Sequence, residues 1–325
     1  MPDRPQVIQG KWKKRIYRIV AELGRGTGGV VYHVLHSGRS YALKVGHDPY
    51  ALTSEVNVLK MLQKAQGSVL GPSLYDVDDW ASPEGVRPFY VMNMVQGVRL
   101  DRFVREKGEE WLAPLVLDLL SFLEEVHKRG YVFGDLKPEH LLVSGQPPRL
   151  AWFDAGGFTR LGRAVKEYTE LYDRGFWRMG DRKAEPAYDL FSTALIILHV
   201  ARGKPVQAGE PPLPFFLQKV NETPSLQPYR EVLQRAFLGQ YPSARQMKEE
   251  WRAAWVRATR SRGYTPRWKR DRDRKAPLAA SSIRSPASPR RKGSRFVRVI
   301  KFAFYLFFSS FLALLIALYL MYQAL

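Results

Sequence analysis

Short apolar runs separated by glycine or polar residues fill the first third of the chain, and this pattern is typical of β-strands. The runs predict strands at residues 17–23, 30–35, 41–45 and 89–94. Between them, residues 49–64 have apolar positions at helical spacing, with Asp48 placed as the N-terminal cap and Pro49 in the first turn. The pattern therefore predicts a small β-rich lobe that contains one helix.

Helical spacing dominates the next part of the chain. Helices are predicted at residues 111–127, 190–200 and 244–257, the second of them apolar on every side. A small β-rich N-lobe followed by a larger helical C-lobe predicts a two-lobed α+β fold with a site in the cleft between the lobes. We place an N-terminal tail at 1–15, the N-lobe at 16–95 and the C-lobe at 96–256.

The last 24 residues, 302–325, carry no charge and are mostly apolar. A helix of that length spans about 36 Å, which exceeds the bilayer core of about 30 Å. A buried core helix is the alternative, but such a helix normally keeps a polar face. We therefore predict a single transmembrane helix at 301–325 that crosses the membrane with residues 302–323. Four basic residues lie at its N-terminal end and predict that this end faces the cytoplasm, with the C-terminus outside: Lys292, Arg295, Arg298 and Lys301.

Charge is concentrated in one region. The chain has 51 Lys and Arg against 31 Asp and Glu, a net charge of +20. Residues 252–301 hold 17 of the basic and 2 of the acidic side chains, so their net charge is +15. The absence of cysteine excludes a disulfide framework, a cysteine-ligated zinc and a cysteine nucleophile.

Residues 257–300 form a basic linker that is rich in proline and serine, a composition that buries too little apolar surface to fold alone. Its charge has three interpretations: a topology signal beside the membrane helix, binding to anionic lipid, or binding to DNA or another polyanion. Tyr264 and Trp268 could stack on bases. The candidate nucleic-acid contacts are Arg267, Lys269, Arg270, Arg272, Arg274 and Lys275.

A glycine-rich run lies between the first two predicted strands. Gly24, Gly26, Gly29 and Val31 match the pattern G-x-G-x-x-G-x-V, in which backbone N–H groups can approach a phosphate chain closely. A dinucleotide fingerprint shares these glycines but opens a helix. Because a strand follows here, the pattern favours a phosphate-covering hairpin.

A lysine follows the glycine run on a predicted strand. Lys44 lies thirteen residues after Val31, and Glu55 on the next helix could hold its ammonium group as an ion pair. Such a lysine suits the α- and β-phosphates of a nucleotide. A solvated edge lysine is the alternative, and the apolar neighbours of Lys44 count against it.

Two further motifs complete the set. Asp135 and Lys137 lie in the run Gly134-Asp135-Leu136-Lys137-Pro138, and Asp154 follows Asp135 by nineteen residues in Phe153-Asp154-Ala155-Gly156. In order and spacing, residues 16–256 resemble the protein kinase family, and the fold is therefore expected to be protein-kinase-like. With the basic linker and the apolar end, the chain resembles the membrane-anchored Hanks-type serine/threonine kinases of spore-forming Bacilli.

The resemblance implies roles for these residues. Asp135 would orient the substrate hydroxyl and accept its proton, and Lys137 would stabilise the transferring γ-phosphoryl group. Asp154 would hold Mg²⁺ or Mn²⁺, while Lys44 and Glu55 would position the phosphates of ATP. The remaining ATP-binding candidates are Leu23, Gly24, Gly26, Gly29, Val31, Ala42, Met92 and Met94. Protein substrates are implied, a second copy of the chain is a further expected partner, and Asp189 would brace the catalytic loop.

Several positions depart from the family pattern. Phe133 and Gly134 replace the usual His-Arg before the catalytic Asp, which removes the usual partner of an activation-segment phosphate. His140 replaces the Asn that binds a second metal, so it is either a ligand better suited to Mn²⁺ or a packed loop residue. Ala155 replaces the Phe after the metal-binding Asp. No clear A-P-E motif appears, and its usual Arg partner is also missing.

Two alternatives to an active protein kinase remain open. Gly134-Asp135 is shared with small-molecule phosphotransferases of the aminoglycoside-kinase type, and His140 is compatible with a pseudokinase scaffold. The retained Lys44, Lys137 and Asp154 favour an active kinase. The candidate phosphorylation sites are Thr159, Thr169, Ser285 and Ser288. Lys166, Arg174 and Arg178 lie close to Thr169 in sequence and could pair with a phosphate there.

Overall fold

A computed structural model describes residues 6–63, 71–83, 85–207 and 212–261. Its first part is an antiparallel six-stranded sheet in the order β1-β2-β3-β4-β6-β5. The strands are β1 Val7–Gln9, β2 Ile16–Gly26, β3 Gly29–His36, β4 Arg39–Gly46, β5 Leu74–Ser82 and β6 Gly85–Asn93. The helix α1, Pro49–Gln63, packs against this sheet through Leu52, Val56 and Leu59.

The helix α1 begins where the sequence predicted. The carboxylate of Asp48 accepts hydrogen bonds from the backbone N–H groups of Tyr50 and Ala51, which otherwise lack partners in the first turn. The four predicted strands are all present with slightly longer bounds. The predicted cap and the predicted N-lobe elements are thus confirmed.

Two strands of the N-lobe were not predicted. β1 lies in the segment assigned to an N-terminal tail, where it pairs with β2 and buries Ile8 completely. β5 carries Asp76 and Asp78 at buried positions, which hides its alternating pattern. The segment before β2 and the beginning of β2 satisfy both carboxylates: Lys13 and Tyr17 donate to Asp76, and the N–H groups of Trp12 and Lys13 donate to Asp78. The N-terminal tail prediction was therefore wrong from residue 7 onward.

The C-lobe is built mainly of helices, as predicted. They are α2 Leu100–Lys107, α3 Leu112–Lys128, α4 Pro186–Arg202, α5 Pro212–Asn221, α6 Arg230–Phe237 and α7 Ala244–Ser261. α4 is buried at every position from Ala187 to Ala201, which explains why its sequence is apolar on all sides. Short strands form two small sheets: β7 Val98–Arg99, β8 Tyr131–Val132, β9 Leu141–Ser144, β10 Arg149–Trp152 and β11 Thr159–Arg160.

No helix within the described residues has the length and apolar character needed to cross a membrane. The predicted transmembrane helix, 301–325, and the part of the basic linker beyond Ser261 lie outside the described residues. Both stay predictions.

Candidate active site

The glycine-rich run forms the turn between β2 and β3. Gly24 pairs with Val31 and Gly26 pairs with Gly29, so the run is a hairpin, as its sequence predicted. Gly29 has φ +141°, and a Cβ atom there would lie 2.1 Å from the carbonyl oxygen of Val45. Only glycine fits this close approach between β3 and β4. The hairpin tip lies over the lysine of β4, because a Cβ atom on Gly28 would be 3.4 Å from Lys44 Nζ.

Lys44 and Glu55 form a buried ion pair. Lys44 Nζ lies 2.8 Å from both carboxylate oxygens of Glu55, and the hydroxyl of Tyr90 donates a third hydrogen bond to Glu55. Burial opposes the charge on Lys44, but the carboxylates of Glu55 and Asp154 outweigh it and raise the pKa of Lys44. Lys44 is therefore a fixed cation in the cleft, 4.0 Å from Asp154 Oδ1.

The adenine-pocket candidates lie on neighbouring strands. Ala42 on β4 pairs with Met92 on β6, and both side chains are buried. Met94 follows directly after β6 and is half-buried, and Val31 of β3 packs against the same core. Leu23 of β2 is half exposed. These residues bring an apolar surface next to the phosphate-binding hairpin.

Asp135 and Lys137, the two catalytic candidates of the C-lobe, form an ion pair. Lys137 Nζ lies 2.6 Å from Asp135 Oδ2 and 3.0 Å from the hydroxyl of Thr169, and that hydroxyl donates to Asp135 Oδ1 at 2.8 Å. A carboxylate beside an ammonium group is suited to accept the proton of an incoming hydroxyl while the lysine neutralises a phosphoryl group. The hydroxyl of Thr169 thus contacts both side chains of this pair.

Asp189 holds the backbone of the loop that precedes Asp135. Its carboxylate accepts hydrogen bonds from the N–H groups of Phe133 and Gly134 and contacts His127 Nε2 at 2.8 Å. Asp189 is fully buried at the start of α4. The structure therefore places it where the resemblance implied, and His127 is a partner that the sequence did not reveal.

Asp154 and His140 face each other across the candidate metal position. His140 Nδ1 lies 2.9 Å from the carbonyl oxygen of Asp135. Because a carbonyl can only accept, Nδ1 carries the proton, and the lone pair of Nε2 faces Asp154 Oδ2 at 3.7 Å. Burial lowers the pKa of His140, so the ring is neutral. Asp154 has φ +72°, a backbone conformation that functional sites favour.

These residues can hold a divalent cation only with help from the nucleotide. Burial opposes the charge on Asp154, but Lys44 and the other positive charges and hydrogen-bond donors around it together outweigh burial and lower the pKa of Asp154, so the carboxylate is ionised. The described part of the chain contains no group of three His, Asp or Glu side chains arranged around one point. Mg²⁺ is commonly held by one or two carboxylates together with substrate phosphates and waters. When bound, the cation would neutralise phosphate charge during transfer.

Two phosphorylation candidates are engaged in the structure. Thr159 is buried, and its hydroxyl donates to the carbonyl oxygen of Gly157, so it is not presented for phosphorylation. The hydroxyl of Thr169 forms hydrogen bonds with Asp135 and Lys137. Its expected phosphate partner Arg174 instead pairs with Asp181 and Glu185, and Lys166 donates to Ser54. Ser285, Ser288 and the six nucleic-acid candidates lie outside the described residues.

Asp173 anchors the segment after Thr169, where the usual motif is missing. This fully buried carboxylate accepts hydrogen bonds from the N–H groups of Gly175 and Phe176, from Arg182 and from the hydroxyl of Tyr188. Arg182 Nη2 lies 2.7 Å from it. The segment is therefore held by its own ion pair. This pair could not be predicted from the sequence, since nothing in the spacing identifies two residues nine apart as partners.

Residues 17–246 match the model of the protein kinase domain, so the chain belongs to the protein kinase family. It is 40% identical over 287 residues to the serine/threonine-protein kinase YabT of Bacillus subtilis, covering 88% of this chain and 80% of that protein. It is 26% identical to the cell division control protein 2 homolog 2 of Trypanosoma brucei brucei, covering 64% and 63%.

The fold is also similar to a solved structure, a double mutant of the PknI kinase domain of Mycobacterium tuberculosis. The TM-score is 0.55 at 17% identity, covering 78% of this chain and 99% of that one. Together with the arrangement of Lys44, Asp135 and Asp154, these relationships identify an ATP-dependent serine/threonine protein kinase. Its substrates are proteins, and its cofactors are ATP and a divalent metal ion.

Proposed function

We propose that this kinase is anchored in the cytoplasmic membrane and that its basic linker binds DNA. The observation that carries the proposal is the distribution of charge: a net +15 over residues 252–301, followed by 24 uncharged residues. A flank that only sets topology needs a few positive charges beside the helix. Residues 252–301 carry far more positive charges than that, spread over 50 residues, and this distribution suits binding to a polyanion.

The membrane anchor rests on the length and composition of residues 302–325. A charged side chain in the middle of such a helix costs about 2.5–3.5 kcal/mol on insertion scales. Changing Leu314 and Leu315 to Arg should therefore move the full-length chain from the membrane fraction to the soluble fraction. The matched control changes Ser309 and Ser310 to Ala and should stay with the membrane. A double-Arg variant that stays in the membrane fraction after a carbonate wash would contradict the anchor.

The DNA-binding proposal predicts a strong dependence on salt. If the linker makes about 6–10 phosphate contacts, its affinity for DNA should fall about 10³–10⁵-fold between about 50 and 200 mM salt. Binding should be nearly independent of sequence, because phosphate contacts carry no sequence information. Once several chains are bound to one DNA molecule, their local concentration rises and favours phosphorylation of one copy by another, including at Ser285 and Ser288.

The test uses the full-length chain in detergent. The linker variant changes its six nucleic-acid candidates, Arg267, Lys269, Arg270, Arg272, Arg274 and Lys275, to Glu. The control makes the same charge change at six exposed residues of the two lobes: Arg18, Arg39, Lys60, Arg105, Lys107 and Arg163. Gel shift should show that the linker variant loses DNA binding and the control largely keeps it. Equal losses would contradict the location of the site.

Anionic lipid is the competing partner, and the same two variants distinguish it. Vesicles of phosphatidylserine and phosphatidylcholine would be tested beside duplex DNA. Linker-dependent binding to the vesicles without binding to DNA would replace the DNA proposal with a lipid one. The kinase assignment does not depend on this outcome, because its residues lie in the cleft.

The choice of metal is a further part of the proposal. His140 offers a neutral Nε2 lone pair toward Asp154, and imidazole suits Mn²⁺ better than Mg²⁺. We therefore expect activity with both metals and a preference for Mn²⁺ that His140→Asn reduces. Equal Mn²⁺-to-Mg²⁺ activity ratios in the wild type and the variant would show that His140 is a packed loop residue.

A further inference from the structure

A cavity of about 250 Å³ lies in the C-lobe among the start of α3, the turn Gln227–Tyr229 and the last turns of α7. We call it the C-lobe cavity. It is too small for a typical ligand pocket, which occupies about 300–1,000 Å³, but it has room for one or two side chains. Its walls are aromatic on one side: Tyr229 and Trp251 stack with ring centroids 3.9 Å apart, and half-buried Trp255 lies beside them.

The charged residues that line the C-lobe cavity are both acidic. Glu109 is exposed and Glu110 is half-buried. Among the described residues neither side-chain carboxylate has a hydrogen-bond or ion-pair partner. Carboxylates attract guanidinium and ammonium groups by charge, and the face of an aromatic ring attracts them by cation–π contact. The cavity therefore suits a cation.

The position of the C-lobe cavity on α7 adds a second reason. Ala258 and Thr259 line it, so it lies beside the last residues of α7 that the structure describes. Residues 262–270 follow directly in the chain. This segment contains four cations and no acidic residue: Arg262, Arg267, Lys269 and Arg270.

We propose that the C-lobe cavity binds cationic side chains of the segment 262–270. The segment is within reach, since a chain extends up to about 3.3–3.6 Å per residue and Arg267 is only six residues beyond Ser261. A short tether also gives an effective concentration in the millimolar range, so individually weak contacts are sufficient. Cations held by Glu109 and Glu110 are not available to a polyanion. The cavity thus connects the C-lobe to the beginning of the basic linker.

The absence of cysteine allows a direct test in the full-length chain. Pro228→Cys places one thiol at the cavity, and Pro266→Cys places another in the segment without removing a cation. A short bis-maleimide should crosslink the pair within one molecule. Adding Glu109→Lys and Glu110→Lys should lower the crosslinking yield by about fivefold or more, because the cations are then repelled.

Two controls distinguish attraction by Glu109 and Glu110 from the effect of the short tether and from a general change in the charge of the C-lobe. Arg260 is not among the residues that line the cavity and is closer to Pro266 along the chain, so the crosslinking yield of Arg260→Cys with Pro266→Cys should depend mainly on the short tether and respond little to the reversed charges. Glu222→Lys with Glu249→Lys makes the same charge change elsewhere on the C-lobe and should leave the Pro228 pair unaffected. A retained unfolding midpoint shows that each variant is folded. No crosslink at Pro228, a yield insensitive to Glu109 and Glu110, or a product formed only between two molecules would overturn the proposal.

Discussion

The hydroxyl of Thr169 donates a 2.8 Å hydrogen bond to the carboxylate of Asp135 and accepts one of 3.0 Å from Lys137. One hydroxyl thus connects the activation segment to both catalytic side chains. While its hydroxyl makes these two hydrogen bonds, Thr169 orients the carboxylate of Asp135 and is not available to accept a phosphoryl group.

Thr169→Val should lower kcat by about 10–100-fold, because a catalytic carboxylate displaced by about 1 Å can lose that much rate. The KM for ATP should change little, since Lys44 and Glu55 are untouched. Thr169→Ser keeps the hydroxyl and should retain most of the activity. Steady-state kinetics with a protein substrate checks this, and a fully active Thr169→Val variant would contradict the assigned role.

Gly134→Ala should damage both stability and activity. Gly134 has φ +82°, and a Cβ atom there would lie 2.3 Å from the carbonyl oxygen of Gly157, so the catalytic loop would be pushed away from the segment that follows Asp154. The left-handed conformation alone costs about 1–2 kcal/mol for an L residue. Gly130→Ala is the matched control, because its φ is +81° and nothing lies within 4 Å of its Cβ position. Denaturant unfolding should show a larger loss for Gly134→Ala, and equal losses would exclude the collision.

Asp173→Ala should destabilise the protein by about 3–5 kcal/mol, because it leaves Arg182 and two backbone N–H groups without their buried partner. Asp181→Ala is the comparison. Asp181 also pairs with an arginine, but its side chain is 73% exposed, and its loss should destabilise the protein far less. Urea denaturation of both variants measures the difference. Similar values would show that Asp173 does not hold the segment.

The free energy of unfolding should fall at acidic pH, partly because of His199. Burial lowers the pKa of this histidine below its ordinary value of 6.5. The unfolded chain therefore takes up the proton first, so this contribution is present above pH 6.5 and is lost as the pH falls below it. The charged groups around the ring are Asp101, Glu139, Arg99 and Arg202, and the hydroxyl of Tyr172 lies 2.6 Å from Nδ1.

His199→Gln should therefore reduce the difference in unfolding free energy between about pH 7.5 and 5.5. An unchanged difference in His199→Gln would mean that this ring does not contribute to the acid sensitivity.

The sequence predicted the parts of the site whose spacing along the chain is fixed by local structure. Each of these parts is short and continuous in the chain, so its residue types identify it. They are the hairpin glycines, the strand that carries Lys44 and the loop from Asp135 to His140. The brace by Asp189 followed from the resemblance. His140 was left with two interpretations, and the orientation of its Nε2 depends on a backbone carbonyl that no sequence pattern reveals.

The parts that were missed depend on contacts between distant segments. β5 was not predicted because Asp76 and Asp78 occupy its buried positions, and only Lys13, Tyr17 and the backbone around Trp12 make those carboxylates acceptable. The pair Asp173–Arg182 likewise has no local signature. Polar residues with tertiary partners look like loop residues in the sequence, and this explains both the missing strand and the incorrect N-terminal tail.

The central claim is that Asp135 drives phosphoryl transfer from ATP to serine or threonine. The most direct measurement incubates the full-length wild type and Asp135→Asn with γ-labelled ATP, a divalent metal ion and a protein substrate, followed by analysis of the labelled amino acid. The account predicts label on phosphoserine or phosphothreonine from the wild type and a loss of at least about 10²-fold in Asp135→Asn. Wild-type labelling by Asp135→Asn, or label found only on tyrosine, would contradict it.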